Sequence, residues 1–275
     1  MLTAQHITIE TGRKTICQNL SLELRAGDVW GVLGPNGSGK TTLLHALSGL
    51  HTLASGDIRL DNISLSQYSI KAIARRIGIL FQDFNSTCPQ TVWEYCLASR
   101  FPHLSYFKKE SVFDKDLIKQ SLRLMDMEHH AHCLITNLSG GEKRRLAIAA
   151  LLAQTPDIYL LDEPTNHLDV RHQAHTLNHF RHLAVKSGAA VMMSLHDINL
   201  AQHYCDHVLL LYPDKEVLTG ETNTVLTPDN VSRLYQHTMR KISLEDNSFW
   251  VSDSSQASWR DLYAPSSYNT ETHNL

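Results

Sequence analysis

The sequence lacks the features of membrane-spanning, secreted and disulfide-rich proteins. No apolar run approaches the roughly 18 residues needed to span a bilayer, and the start of the chain lacks the basic-then-apolar layout of a signal peptide. The cysteines are scattered and contain no CxxC pair; they are Cys17, Cys88, Cys96, Cys133 and Cys205. This pattern argues against a disulfide framework and a zinc site. We therefore expect reduced thiols in a chain that lies in the cytosol.

A large excess of charge of one sign is also absent. The chain has 25 basic and 28 acidic residues, which gives a formal net charge of −3, and it has no long basic block. An extended surface for nucleic acid is therefore not expected. The hydrophobic content of 42% is ordinary for a globular chain with a substantial core. The length of 275 residues permits one large domain or two small ones.

Histidine, in contrast, is abundant, with 17 residues. Four of them follow a 3-4-3 spacing that would place them along one face of a helix: His172, His175, His179 and His182. A metal site is conceivable on such a face. No acidic or cysteine ligand accompanies the histidines, however, and a partly solvated polar face is the commoner explanation.

The most informative motif is a glycine-rich segment that fits the pattern G-x-x-x-x-G-K-[ST]. A short apolar strand at 28–33 leads into it and a helix at 41–50 follows, which is the context that a phosphate-binding loop requires. Glycines let the backbone approach phosphates, Lys40 can reach the β- and γ-phosphates, and the Thr41 hydroxyl can ligate Mg²⁺. We expect the polyphosphate to bind Gly34, Pro35, Asn36, Gly37, Ser38, Gly39, Lys40, Thr41 and Thr42.

A second phosphate-related pattern lies at 158–163. An apolar strand, Ile158 to Leu161, ends in the carboxylates of Asp162 and Glu163. Asp162 can hold Mg²⁺ opposite Thr41, and Glu163 can polarise a water aimed at the γ-phosphate. By itself, this carboxylate pair is weak evidence for a nucleotide site. Together with the phosphate-binding loop upstream, it is strong evidence.

The remaining periodicity indicates an α/β fold. Alternating patterns near residues 6–10 and 20–24 predict an antiparallel β layer beside the phosphate site. After Gln82 the pattern becomes helical, and from 158 onward strands alternate with helices, which predicts a parallel sheet. We expect one domain at 1–240 with a helical insert at about 83–145. Residues 241–275 would be a C-terminal extension, either partly disordered or packed through its aromatic residues.

At this point the chain resembles the ATP-binding subunits of ABC transporters. Leu138-Ser139-Gly140-Gly141-Glu142 matches the family's signature sequence. Gln82 matches its Q-loop, 166–169 matches its D-loop, and His196 matches its switch histidine. The resemblance covers roughly residues 5 to 235 and implies the ABC ATPase fold, with a P-loop core, an antiparallel β layer and a helical insert.

The resemblance also implies roles for these residues in binding and hydrolysing ATP with Mg²⁺. Glu163, His196 and Gln82 would be catalytic, and Thr41, Gln82 and Asp162 would hold the metal. Ser139, Gly140 and Gly141 precede a helix, so they form a second anion-binding helix end. In the family this end contacts the γ-phosphate of ATP bound to a second subunit. The implied partner is therefore a second copy in a head-to-tail dimer.

One stretch departs from the family. Where an aromatic residue usually stacks on adenine, this chain reads Thr11-Gly12-Arg13. Arg13 could lie over the ring through a cation–π contact, or the base could be held loosely.

Softer patterns point to a branch of the family. Residues 91–94 and 100–103 resemble the subfamily that energises iron-siderophore, haem and vitamin B12 uptake, with Ser99 in place of its usual glycine. The resemblance implies separate integral membrane permease subunits, a substrate-binding protein and a peripheral position at the cytoplasmic face of the inner membrane. The permease would dock in a groove formed by residues 82–103, with Val92, Trp93 and Phe101 as exposed apolar candidates; alternatively, these apolar residues form a small core of the insert.

Other functions remain as alternatives. An importer of metal ions or oxyanions shares parts of these patterns. A non-transport ABC ATPase of translation or DNA repair usually has two ATPase units or a long coiled-coil insertion, and this chain has neither. A P-loop kinase or GTPase lacks support, because no N-K-x-D guanine motif is present. The transported substrate is not encoded in this chain, since its selectivity belongs to the permease and the binding protein.

Overall fold

The computed structural model describes residues 1–12, 14–83, 89–104, 110–244 and 247–253. In chain order, the strands are β1 Leu2–Thr11, β2 Lys14–Leu24, β3 Val29–Leu33, β4 Ser55–Leu60, β5 Ile63–Ser64, β6 Ile77–Leu80, β7 Ile158–Leu161, β8 Ala190–Ser194, β9 His207–Leu211, β10 Val217–Glu221, β11 Met239–Leu244 and β12 Asn247–Ser252. The helices are α1 Lys40–Leu47, α2 Ile70–Arg76, α3 Val92–Ser99, α4 Val112–Leu124, α5 Gly140–Gln154, α6 Val170–Ser187, α7 Ile198–Tyr204, α8 Thr222–Val225 and α9 Pro228–Tyr235.

The central sheet has the strand order β10-β9-β3-β8-β7-β6. Strands β9, β3, β8, β7 and β6 are parallel, and β10 joins the edge of the sheet antiparallel to β9. Every residue of β3, β7 and β8 is buried, as expected for parallel strands covered on both faces. The carboxyl ends of the parallel strands meet at one edge, where ligands bind in open α/β sheets.

A second, antiparallel sheet with the order β2-β1-β4-β5 forms the predicted β layer. Its apolar side chains, such as Ile7, Ile9 and Leu24, share one buried cluster with Leu43 and Leu44 of α1. The phosphate-binding loop between β3 and α1 therefore lies next to this layer. The predicted fold class is confirmed.

The helices α3 and α4 form the insert and pack on α5. Arg100 is buried at the end of α3, where it pairs with Asp114 at 2.9 Å and donates to the carbonyl oxygens of Ala153 and Gln154. A cation at the end of α5 is favourable because the helix dipole is negative there. Val92, expected as an exposed apolar residue, is completely buried, whereas Phe101 is 60% exposed.

The C-terminal part of the described chain is a hairpin of β11 and β12. Trp250 of β12 is buried, and its ring N–H donates to the side chain of Gln202 in α7 at 2.6 Å. The tail aromatic residues Trp259, Tyr263 and Tyr268, on which the expected extension depended, lie outside the described residues.

Two further sequence features can be placed on the structure. The four histidines of the 3-4-3 pattern lie on α6, where each remains partly or fully exposed. Within the described ranges, no group of three or more His, Cys, Asp or Glu side chains is arranged to hold a metal ion. No helix in that part of the chain is both long and apolar enough to cross a bilayer.

Candidate functional site

The phosphate-binding loop joins β3 to α1. Gly37 and Gly39 have φ angles of 73° and 107°, which other residues rarely adopt. A side chain at Gly39 would also overlap Ile16. Gly39 is the N-cap of α1 and provides no side-chain cap, so the N–H groups of the first turn are left for a ligand. The backbone of the loop is therefore shaped for an anion.

Lys40 is buried at the start of α1. Its Nζ donates to the carbonyl oxygen of Gly34 at 2.8 Å and to that of Pro35 at 3.3 Å. Burial lowers the pKa of Lys40, while the carboxylates of Glu163 and Asp162 act in the opposite direction. The ammonium group lies beside the loop, where it can bind phosphate oxygens.

An open cavity of about 600 Å³ lies against the loop. It unites residues from the phosphate-binding loop, the β layer and the ends of three strands, and its lining consists of Thr11, Lys14, Ile16, Asn36, Gly37, Gly39, Lys40, Thr41, Thr42, Gln82, Glu163 and His196. Its volume lies in the usual range for small-molecule sites. The structure thus brings most of the predicted loop residues together with all three predicted catalytic residues.

Asp162 is completely buried at the end of β7. Its Oδ1 accepts a hydrogen bond of 2.6 Å from the Ser194 hydroxyl at the end of the neighbouring strand β8. Its Oδ2 is buried and has no hydrogen-bond partner among the described residues. A buried, unpaired carboxylate oxygen is costly unless a cation or water binds it. The unpaired Asp162 oxygen, the Thr41 hydroxyl and the Gln82 amide are oxygen ligands of the kind that Mg²⁺ prefers, and Thr41 and Gln82 both line the cavity.

Glu163 is the centre of the polar network at the cavity. Its side chain is 8% exposed, and Oε1 is hydrogen-bonded to Nε2 of His196. Oε2 accepts from Gln82 Nε2 at 3.2 Å and from Asn166 Nδ2. The backbone of Glu163 has φ 48°, a left-handed conformation that is uncommon for this residue type and recurs at functional sites. The carboxylate is thus fixed on both oxygens at the edge of the cavity.

Arg144 of α5 lies behind this network and is 3% exposed. Its Nη1 donates to the carbonyl oxygens of Phe81 at 2.6 Å and Gln82 at 3.3 Å. Its Nη2 donates to the carbonyl oxygens of Asp162 and Glu163, the latter at 2.6 Å. Burial lowers the pKa of Arg144 to about 10, although the neighbouring carboxylates partly offset this effect.

The signature residues lie away from the cavity in the single chain. Ser139 caps α5, and its N–H donates to Glu142 Oε2 at 2.8 Å. A side chain at Gly140 would meet nothing within 4 Å, whereas a Cβ at Gly141 would lie 2.9 Å from the carbonyl oxygen of His167. The Gly140 side of this helix end is therefore open for a ligand or partner.

Sequence reasoning missed Ser194 and Arg144, whose side chains hold the segment of Asp162 and Glu163 in place. Ser194 lies in the same motif as His196 but ends a strand adjacent to β7, so its hydroxyl reaches Asp162. Arg144 lies one turn before Ile148 on a buried helix face. Two sequence features could have indicated them: Ser194 is a hydroxyl residue at the end of an apolar strand, and Arg144 is a charged residue on an apolar helix face.

The expected adenine-contact region is only partly described. Thr11 lines the cavity together with Ile16, and Lys14 Nζ donates to the carbonyl oxygen of Gly37 at 2.6 Å. Arg13 lies outside the described residues. The described lining of the cavity contains no Phe, Tyr or Trp.

Comparison with known proteins gives a consistent result. The family model described as "ABC transporter" matches residues 17–166. The ferric enterobactin transport ATP-binding protein FepC of Escherichia coli K12 is 35% identical over 234 residues, which are 85% of this chain and 86% of FepC. The hemin import ATP-binding protein HmuV of Pseudomonas fluorescens is 39% identical over 240 residues, which are 86% of this chain and 92% of HmuV.

Solved structures agree with these relatives. A chain of an inward-facing metal-chelate type ABC transporter has a TM-score of 0.79 and 28% identity, and the match covers 92% of this chain and 97% of that one. A dimeric bacterial ABC transporter cassette has a TM-score of 0.71 and 27% identity, with 81% of this chain and 99% of that one covered. The motifs, the geometry of the site and these similarities together show that the chain belongs to the ABC transporter family.

Proposed function

We propose that this chain is the ATP-binding and ATP-hydrolysing subunit of an importer for iron-siderophores, haem or cobalamin. The observation that carries the proposal is the position of Glu163. Its carboxylate meets His196 and Gln82 at the edge of a cavity that the phosphate-binding loop also lines. The named substrates of FepC and HmuV, ferric enterobactin and hemin, support the choice of transported compound.

Each group of residues would have a separate role in binding and hydrolysing ATP. The loop from Gly34 to Thr42 would bind the phosphates through N–H groups and Lys40. Mg²⁺ would be held by Thr41, Gln82 and Asp162, and it would neutralise charge on the phosphates. Glu163 would polarise the attacking water, and His196 would orient the Glu163 carboxylate and contact the γ-phosphate. General-base catalysis of this kind contributes about 10²–10⁴-fold to the rate.

The second nucleotide contact would come from another copy of the chain. Ser139, Gly140 and Gly141 form the N-terminal end of α5. None of them is among the described residues that line the cavity. A head-to-tail dimer would place this helix end against the γ-phosphate of ATP bound to the second copy. The dimeric cassette among the structural neighbours supports this arrangement.

The permease would bind beside the Q-loop. Within the groove predicted at 82–103, Phe101 is exposed, and it lies against α2, where Lys71 Nζ is 5.4 Å from its ring centroid. Ile70 of α2 is 86% exposed, and Phe81 at the end of β6 is 47% exposed. These apolar side chains offer a docking surface for a helix of a membrane permease. The chain would then lie peripherally at the cytoplasmic face of the membrane and act with a substrate-binding protein.

The experiment that tests the proposed activity is the substitution Glu163→Gln. We expect it to abolish steady-state ATP hydrolysis, to retain ATP binding, and to trap an ATP-bound dimer visible by light scattering. Lys40→Ala is the comparison, because it should lose nucleotide affinity itself. Turnover of Glu163→Gln within about threefold of wild type would contradict the assigned role, since a general base is worth far more.

A further inference from the structure

Arg144 connects the loop after β6 to the loop after β7, two segments of the catalytic site between which the described residues show no strand pairing. Strands β6 and β7 pair up to Leu80 and Leu161, and the Asp162 N–H donates to the Leu80 carbonyl oxygen at 2.9 Å. Beyond Leu80 and Leu161 the two segments leave the sheet. The next two carbonyl oxygens of each segment all accept hydrogen bonds from the Arg144 guanidinium; they belong to Phe81, Gln82, Asp162 and Glu163.

The guanidinium group is suited to this position by its shape. Its two terminal nitrogens form a rigid planar fork, so one nitrogen binds the carbonyl pair after β6 and the other binds the pair after β7. A lysine ammonium is a single point of donation and cannot span both pairs. The fork thus fixes the distance between the loop of Gln82 and the loop of Glu163.

Burying the charged guanidinium group of Arg144 carries a large desolvation cost. Its described partners are neutral carbonyl oxygens, none of its hydrogen bonds within the described ranges goes to a carboxylate, and its Nε is buried without a partner there. A buried charge in such surroundings contributes little net stability compared with an apolar side chain of similar volume. Stability alone therefore does not account for an arginine here.

The position of Arg144 on α5 gives it a second connection. The same helix begins at the signature, and Gly141 lies close to the carbonyl oxygen of His167 in the loop after Glu163. Because α5 is a continuous helix of 15 residues, a shift of its N-terminus carries Arg144 with it. The carbonyl oxygens beside the cavity would move as well.

We infer that Arg144 is a positioning residue that couples the signature end of α5 to Gln82 and Glu163 of the same chain. The inference rests on the proposed function. In a head-to-tail dimer, Gln82 and Glu163 face the chain's own nucleotide, and the signature faces the nucleotide of the second copy. Arg144 then transmits the state of one ATP site to the surface that completes the other.

The test compares Arg144→Gln with Arg144→Lys in the full chain. We expect Arg144→Gln to lower kcat by about tenfold or more, with KM for ATP within about threefold, because misplacing catalytic groups by about 1 Å can cost 10²-fold in rate. In a Glu163→Gln background it should also reduce the ATP-trapped dimer. Arg144→Lys should recover part of kcat, since the ammonium group retains the charge and can donate to one of the two carbonyl pairs.

Arg100→Gln is the matched control. Arg100 is also 3% exposed and also binds backbone carbonyls of α5, but at the opposite end of the helix. In the chain without a permease, Arg100→Gln should lower the melting temperature while kcat per folded molecule stays within about twofold of wild type, because its described partners, such as Asp114 and Ala153, do not line the cavity. An equal loss of kcat in Arg100→Gln and Arg144→Gln would overturn the inference.

Further outcomes separate this inference from the proposed function. If Glu163→Gln abolishes hydrolysis while Arg144→Gln changes only thermal stability, the proposed function stands and the coupling role is wrong. If Arg144→Gln does not fold, Arg144→Lys decides: a kcat equal to wild type with an undiminished trapped dimer overturns the role. A wild-type chain that neither hydrolyses ATP nor dimerises with it overturns both.

Discussion

The Ser194 hydroxyl donates to Asp162 Oδ1 over 2.6 Å. Both residues are completely buried; Ser194 is the last residue of β8, and Asp162 directly follows β7. The same Ser194 oxygen accepts the N–H of Glu163 at 2.8 Å. One hydroxyl group therefore orients the carboxylate proposed to hold Mg²⁺ and the backbone of the residue proposed to activate water.

Ser194→Ala should disturb both groups. It leaves a buried carboxylate oxygen and a buried N–H unpaired, which costs about 2 kcal/mol in the free energy of unfolding. We also expect lower ATP turnover at unchanged protein concentration. Urea unfolding and steady-state hydrolysis measure the two effects. Ser48→Ala is the control, because the buried Ser48 hydroxyl donates to the His45 carbonyl oxygen, and neither residue lines the cavity. Equal stability and turnover for Ser194→Ala and wild type would contradict this view.

Gly140→Arg should block ATP-dependent dimerisation without unfolding the monomer. A side chain at Gly140 has open space, and the cap between Ser139 and Glu142 is retained, whereas Ser139→Arg would also remove the cap. The cation would occupy the space proposed for the second copy's γ-phosphate. Light scattering of Glu163→Gln variants with ATP measures the dimer.

Mixing Gly140→Arg with Lys40→Ala subunits tests the head-to-tail arrangement. Each heterodimer would contain one intact composite site, so we expect dimer to reappear in the mixture. The control is the double variant, Gly140→Arg with Lys40→Ala in one chain, mixed with the Glu163→Gln parent. That heterodimer has no intact site and should not form. Absence of recovery in the first mixture would show that the arrangement is wrong or that both sites are required.

Cysteine crosslinking should locate the permease. In a background without the native cysteines, Phe101→Cys and Ile70→Cys should form crosslinks with the cytosolic loops of a permease, because both side chains are exposed beside the predicted groove. Val185→Cys is the control, since Val185 is 66% exposed on α6. Crosslinks from position 185 and none from 70 or 101 would exclude this docking surface.

Asp114 should contribute stability that depends on pH. The hydrogen bond from the Ser111 hydroxyl, that from the Ser111 N–H and the ion pair with Arg100 lower its pKa from 3.8 to about 2, while burial acts in the opposite direction. Because the pKa is lowered in the folded state, the stabilisation is fully present above the unfolded pKa and is lost as the pH falls through the folded pKa. The shift corresponds to about 2 kcal/mol at neutral pH.

Asp114→Asn should therefore lower the free energy of unfolding at pH 7 by roughly that amount. The difference from wild type should shrink as the pH falls from about 4 toward 2, which urea unfolding at several pH values can follow. Asp116→Asn, an exposed position on the same helix, should show no such dependence. A difference that stays constant below pH 4 would mean that Asp114 stabilises the fold through packing rather than charge.

The local features of the site were predictable from the sequence. The phosphate-binding loop, the strand that ends in Asp162 and Glu163, and the helix that begins at Gly140 each depend on neighbouring residues: glycines with positive φ, a short apolar run and a serine cap. The fold class followed from strands alternating with helices. Elements with weaker patterns, such as β10 and α9, were not anticipated.

The convergence of side chains was decided only by the tertiary structure. Strand β3 pairs with β8, which is far away in the sequence, and this strand order brings Ser194 to Asp162 and His196 to Glu163. The exposure of single apolar side chains was likewise decided by packing. The sequence shows that Val92 is apolar, but only the fold shows that it is buried in the core. The role proposed for Arg144 depends on the contacts of one helix with the ends of two strands. Patterns of residues define local structure, whereas contacts between distant segments require the assembled fold.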